Sequence, residues 1–265
     1  MISYNLRRRP ALLIAVAALI VLRLAWRPPL AVSATMTVAQ CWGIAIALVA
    51  AISLAAIATR AAWLAAGAAR ALARLPRAAG PAPLRDSLLR TGIRGVVCLA
   101  AGHRTAFCAG LIRPRVYVGT DLATELAPAE LDAVLVHEAV HAQRRDPLRR
   151  LMLRACADVL FYLPLVNWTA DRQKEQAELA ADRVAIRRVG AGAVAGALLT
   201  MGDAPTPVPA SAFDGATHAR VAQLLGDDLP RRHVSIHSVA LSLTGLVVAT
   251  SLMMCLGQTA WTAVS

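Results

Sequence analysis

The sequence predicts an α-helical membrane protein that carries an α+β domain, in which a small antiparallel sheet sits beside several helices. Three observations predict it: an apolar composition, long apolar runs, and one stretch where helical patterning gives way to short β-type segments. Hydrophobic residues make up 57% of the 265 positions and the mean hydropathy is +0.55, so much of the chain needs lipid or a deep core as its solvent.

The apolar runs are residues 10–26, 37–59 and 234–256. The first follows Arg7, Arg8 and Arg9, as a secretory signal would, but a second run follows after a short Pro-containing link. The pair therefore reads as a helical hairpin across a bilayer. Orientation follows the arginines. Only Arg27 lies in the link, whereas Arg60, Arg70, Arg74, Arg77, Arg85 and Arg90 follow the second run. Arg231 and Arg232 precede the third, and nothing basic follows it. This places the N-terminus and residues 60–233 in the cytosol and the C-terminal tail outside, as in a multi-pass protein of the cell membrane.

The same placement accounts for the formal charge of +12. The basic residues, all Arg except Lys174, sit beside apolar stretches rather than among aromatics on a recognition face. That pattern favours a lipid membrane as partner and excludes direct nucleic-acid binding. The cysteines (Cys41, Cys98, Cys108, Cys156 and Cys255) are odd in number and show no C-x-x-C spacing, so they form neither a disulfide framework nor a zinc ribbon. Cys41 and Cys255 lie in apolar runs, where a thiol packs as a small hydrophobe.

The chain divides into a transmembrane hairpin (1–60), a juxtamembrane helix and linker (61–93), a folded domain (94–232) and a closing transmembrane helix (233–265). In the folded domain, Val96 to Leu99, Thr105 to Cys108 and Val116 to Val118 are short β-type runs separated by Gly102-His103 and Arg113-Pro114, which reads as an antiparallel sheet. Val116-Tyr117-Val118 is expected at the edge of the cleft, where an extended substrate could add a strand. Pro128 suits a first helical turn and Glu130 adds favourable charge there, so a helix is expected from 128 to the residue before Pro147. Residues 148–165, apolar but carrying Arg149, Arg150, Arg154 and Asp158, read as a helix lying in or on the membrane surface in preference to a fourth span. A helix over 169–189 ends at Gly190. A Pro-rich link at 204–209 and a short helix over 215–225 follow.

Within the 128–146 helix stands His137-Glu138-Ala139-Val140-His141. A spacing of four puts both imidazoles one turn apart on one face, where they can bind a single Zn²⁺, while Glu138 projects beside them as a general base. With six His in the chain, a chance H-E-x-x-H would arise with a probability on the order of 0.3%. The flanking Ala133, Val134, Leu135, Val136, Ala139 and Val140 make the helix apolar nearly all round and hence buried. A buried helix bearing two His and a Glu has no cheap structural explanation, because unpaired buried polar groups are costly.

A catalytic zinc takes a third protein ligand and keeps one open position. Glu178 and Asp182 lie one turn apart in Glu178-Leu179-Ala180-Ala181-Asp182, with small residues between them that permit close helix approach. Glu178 is the candidate third ligand, and Asp182 is placed to accept from the free ring N–H of a ligating His. Glu175 is a weaker candidate, read as part of a solvated face with Arg172 and Lys174.

These residues resemble the membrane zinc metallopeptidases of the BlaR/MecR type, and more distantly the HtpX-type membrane peptidases. The resemblance runs over about 105–228, through Ala106 to Val118, Leu131 to His141, Arg144-Arg145-Asp146, Pro164 to Trp168, and Glu178 to Asp182. It implies a zincin-like (gluzincin) peptidase domain and zinc-assisted hydrolysis of a protein or peptide, with Glu138 catalytic, His137, His141 and Glu178 on the metal, and Asp182 as their partner. His218 resembles a downstream polar segment of such peptidases, and its other reading is a surface His near a helix start. Arg144, Arg145 and Asp146 either brace the active-site helix or form a solvated helix end. Transducers of this family continue past the last span into an extracellular ligand-binding domain, whereas this sequence stops at Ser265. The expectation is a peptidase part without that sensor. A signal transducer that cleaves a transcriptional repressor, and an inactive scaffold, are the competing readings.

Overall fold

The structure is a computed structural model that describes residues 38–100, 105–202, 213–227 and 233–264. The expected span at 10–26 and the Pro-rich link at 204–209 lie outside the described residues. The chain separates into two compact units. One comprises the chain up to Arg60, Ala155–Trp168 and His233 onward; the other comprises Ala61–Arg154 and Thr169–Arg232.

Helix α1 (Val38–Arg74) runs on through Arg60, where the sequence suggested a break, and stops just before Pro76. Nothing in its Ala-rich second half interrupts the backbone ladder. Its portion Ala39–Arg74, and Ile236–Gly257 of the last helix α9 (Ile236–Val264), are long and apolar enough to cross a membrane. Trp42, Ile46, Leu54, Leu243 and Leu252 stand exposed on these two helices, as lipid-facing side chains would. In the same unit, Arg60 donates to Asp158 Oδ2 through Nε (2.9 Å) and Nη2 (2.7 Å). The Leu165 N–H donates to Ser242 Oγ at 3.0 Å, and Gly245 lies so close to the Tyr162 carbonyl that a Cβ would collide with it.

The second unit contains α2 (Ala82–Thr91), β1 (Val96–Leu99), β2 (Ala106–Ala109), β3 (Arg115–Gly119), α3 (Thr120–Glu125), α4 (Pro128–Gln143), α7 (Ala191–Gly202) and α8 (Phe213–Leu225). Helices α5 (Asp146–Val159) and α6 (Pro164–Val189) belong partly to each unit.

The sheet is mixed rather than antiparallel: its order is β1-β3-β2, with β3 parallel to β1 and antiparallel to β2. Strands β2 and β3 are joined by a short turn, which dictates an antiparallel pair. Gly110 permits that turn, with φ 105° and no room for a Cβ against the Arg113 carbonyl. The return strand then pairs on its other side with β1. Val116-Tyr117-Val118 is consequently central, with a strand on each side, and has no free edge to which an extended substrate could add.

Helix α4 packs against α2, α7, β2 and β3, and its apolar residues Leu131, Val134 and Leu135 share a core with Leu84, Val116, Val118 and Leu122. A polar link fixes α2 on it: the partly exposed Arg90 forks onto Asp132 (both bonds 2.9 Å), and the buried Ser87 hydroxyl donates to the same carboxylate. At its start the Ala127 N–H donates to Glu130 Oε2 at 3.1 Å, satisfying a terminal donor.

Three helix boundaries differ from the sequence expectation. Helix α4 ends at Gln143, and Pro147 serves the first turn of α5 instead of terminating α4. The reversal falls on Arg145, a non-glycine residue with φ 55°. The stretch 148–165 is not one helix, because α5 stops at Val159 and α6 starts at Pro164. Fourteen residues give a helix of about 21 Å, too short for a hydrocarbon core about 30 Å thick. Helix α6 begins five residues earlier than expected and ends, as expected, at Gly190, which has φ 91°.

Candidate metal centre

The apolar surroundings of α4 leave His137 and His141 facing α6, where Glu178 meets them. Ligand atoms of His137, His141 and Glu178 all lie within 4.8 Å of one another. The two Nε2 atoms are 3.1 Å apart. Glu178 Oε2 is 3.4 Å from His137 Nε2, and its Oε1 is 3.6 Å from His141 Nε2. Ligands at 2.0–2.1 Å around a tetrahedral zinc would stand about 3.3 Å from one another. The three spacings bracket that value.

The outer nitrogens explain why both Nε2 atoms turn inward. His137 Nδ1 is 2.9 Å from Asp182 Oδ1, and His141 Nδ1 is 2.7 Å from Asp146 Oδ2. Asp146 and Asp182 are both buried. Each carboxylate takes its imidazole's Nδ1–H, which leaves the Nε2 lone pair for a cation, the arrangement that orients metal-binding histidines. The donor set fits a divalent ion of the zinc type: two imidazoles and a carboxylate, with their outer partners in place.

Electrostatics agree with the geometry. Burial opposes charge on His137, but its hydrogen bonds with Asp182 and Glu178 outweigh this and push its pKa up to about 9. A proton is the smallest cation such a cluster can take. Burial lowers the pKa of His141. Glu178 is held well below the usual carboxylate range, because the His137 bond and the charges of His137, Arg150 and His141 overcome its burial. Asp182 is lowered too, with hydrogen bonds from His137 and Arg220 overcoming burial. Glu138, next in the chain to His137, is pushed up to about 7 by burial. It lies within electrostatic reach of Glu178, Arg150 and Arg220, and of Cys108 on β2, whose thiol is pushed up to about 12, chiefly by burial.

Of the residues singled out from sequence, the structure brings together His137, His141, Glu178 and Asp182, with Glu138 beside them. Glu175 is not on a solvated face: it is 3% exposed, with Arg172 Nη1 3.4 Å from its Oε2. The packing of α6 turns it inward, one turn before Glu178. Asp146 is buried on His141 and does not belong to a solvated helix end. The side chain of His218 lies outside the described residues.

Sequence reasoning missed two arginines. Arg150 on α5 donates through Nη2 to Glu178 Oε1 at 2.5 Å. Arg220 on α8 forks onto Asp182, Nε to Oδ2 at 2.6 Å and Nη2 to Oδ1 at 2.8 Å. No local signal in so Arg-rich a chain marks either.

Helix-borne histidines with carboxylate partners, a third carboxylate and an adjacent glutamate define a candidate metallohydrolase. The BlaR1 peptidase M56 family model matches residues 12–202. The chain belongs to this family, that of a metallopeptidase, in a mostly helical fold with a small three-stranded sheet. Comparison with curated proteins finds no match. Arg220 lies beyond the matched residues.

Proposed function

We propose that the protein is a membrane-embedded zinc metalloendopeptidase that hydrolyses peptide bonds of a protein substrate at the cytosolic face, with a zincin-like domain over 94–232 anchored by 1–60 and 233–265. The observation that carries this reading is the convergence of His137, His141 and Glu178, each imidazole held from behind by a carboxylate, beside Glu138.

These three residues would hold the ion, and Asp182 and Asp146 would keep the imidazoles aimed at it. Zinc bound there supplies Lewis acidity, which acidifies a water and polarises a scissile carbonyl. Glu138 takes the proton from the attacking water and returns it to the departing amine nitrogen. Arg150, partly exposed beside Glu178, is a donor available to charge developing on the carbonyl oxygen. Among the described residues the outer edge of β2 has no strand partner, and Cys108 lies within electrostatic reach of Glu138. An extended substrate would therefore add to β2, rather than to β3, by backbone pairing.

Glu138→Gln tests the chemistry. It keeps size and hydrogen bonding but removes the basic carboxylate, so zinc content should stay near wild type while turnover falls by about 10²–10⁴-fold. Retained turnover with retained zinc would sink the mechanism. Topology has its own test. A reporter active only outside the cytoplasm should be silent when fused after Gly190 and active after Ser265. The reverse pattern overturns the cytosolic placement.

A further inference from the structure

We infer that Arg220 is a positioning residue: acting through Asp182, it fixes the His137 imidazole toward the metal position, so that helix α8 completes the site from outside the family-matched segment. The inference rests on reading the cluster as a metal site.

Asp182 is fully buried (0% exposed). A lone carboxylate there would be free to rotate about its terminal bond and costly to bury. Arg220 removes both problems. Its fork occupies both carboxylate oxygens and so fixes their plane. The oxygen that accepts from Nη2, Oδ1, is the same one that faces His137 Nδ1 at 2.9 Å. A rigid path therefore runs from guanidinium to carboxylate to imidazole. Helix α8 is seated for this role: Ala219 is buried (0% exposed), and Gln223 Nε2 donates to the Leu179 carbonyl at 3.1 Å. That contact holds α8 on the turn of α6 between Glu178 and Asp182.

Charge opposes geometry here. Arg220 Nη1 is 3.6 Å from Glu178 Oε2, so its positive charge disfavours a dication nearby, and simple removal of the charge would tighten metal binding. Arg220→Lys separates the two effects, because it keeps the charge and loses the fork. Any loss in that variant reads geometry alone.

The test uses the full chain purified in detergent, with zinc affinity read by competition with a chelator of known strength. Arg220→Lys should weaken zinc binding about 10–100-fold, the usual effect of removing a partner behind a ligand. Asp182→Ala should weaken it at least as much, and adding Arg220→Lys to Asp182→Ala should change nothing further, since the path is already cut. Substitution of Co²⁺ for zinc should give a ligand-field spectrum altered in Arg220→Lys and in Asp182→Ala alike.

An Arg220→Lys affinity within about twofold of wild type, or losses that multiply in the double variant, would overturn the inference. Should Arg220→Lys fail to fold, Arg220→Gln is judged by its Co²⁺ spectrum, since its lost charge shifts the affinity in the opposite sense: a spectrum altered as in Asp182→Ala supports the inference, and one like wild type overturns it. A wild type that binds no zinc defeats the metal reading itself. A wild type that binds zinc normally beside an unaffected Arg220→Lys defeats only the role given to Arg220.

Discussion

Helices α4 and α6 face each other across the candidate metal centre, yet they hide their polar groups in opposite ways. Along α4 the buried positions are apolar except for Asp132 and His141, so the histidines and Glu138 stand out against their background. Along α6 charged residues recur from Asp171 to Arg188, and the buried positions are Glu175, Leu179, Ala181, Asp182 and Ala185. Acids destined for the interior are mixed there with acids and bases that face out. One helix announces its chemistry by contrast; the other reveals it only once packing has chosen a face.

The largest effect should come from removing a ligand on either helix. Detergent-purified wild type should carry about one equivalent of zinc, and His141→Ala and Glu178→Ala should each lose nearly all of it, because a site left with two protein ligands forfeits much of its binding energy. Metal analysis of the three samples checks this. Full zinc in Glu178→Ala would show that α6 contributes no ligand and would break the symmetry drawn between the helices.

What could be read in advance follows the same contrast. Helix α4 and the pairing of its two histidines were legible because a short motif at helical spacing was set in an apolar run. Glu178 was separable from Glu175 only as a preference, since the two lie three residues apart and both can face inward. Asp146 was marked only as a residue that braces the histidine-bearing helix or belongs to a solvated helix end, and its bond to His141 escaped for a different reason. It follows His141 by five residues, a spacing no helix brings together, and it returns to the imidazole only because Arg145 adopts φ 55°. Pro147 looked like a terminator of α4 and is instead an initiator of α5. The three strands were visible as β-type runs, but a strand's pattern encodes which face it buries and not who lies beside it, so the central place of β3 could not be inferred. Arg220 is 38 residues from Asp182, and nothing local ties them together.

Asp146→Asn should have a middle-sized effect and sharpens the comparison from the α4 side. The amide keeps an acceptor for His141 Nδ1 but loses the charge that makes the 2.7 Å contact strong. Zinc affinity should fall about tenfold, near the low end for partners behind a ligand. Chelator competition measures it. An unchanged affinity would mean that packing around His141 alone orients the ring.

Glu175→Gln should have the smallest effect, and it decides whether burial by itself marks a site residue. Glu175 is buried and lies one turn before Glu178 on α6, so burial and position give it every outward mark of a ligand. It differs in what surrounds it: Arg172, 3.4 Å away, rather than the two imidazoles. Gln matches Glu in shape, so the change removes the charge that faces that guanidinium and leaves no cavity. Arg172 is 28% exposed and can be hydrated once its partner is neutral, so the change alters stability by about 1 kcal/mol at most. Zinc content and turnover should therefore stay near wild type, with at most a small shift in the thermal midpoint, read on the same preparation as Glu178→Ala. Zinc loss in Glu175→Gln to the level of Glu178→Ala would move the third ligand one turn along the helix and make the inward face of α6, rather than a single residue on it, the unit that holds the metal.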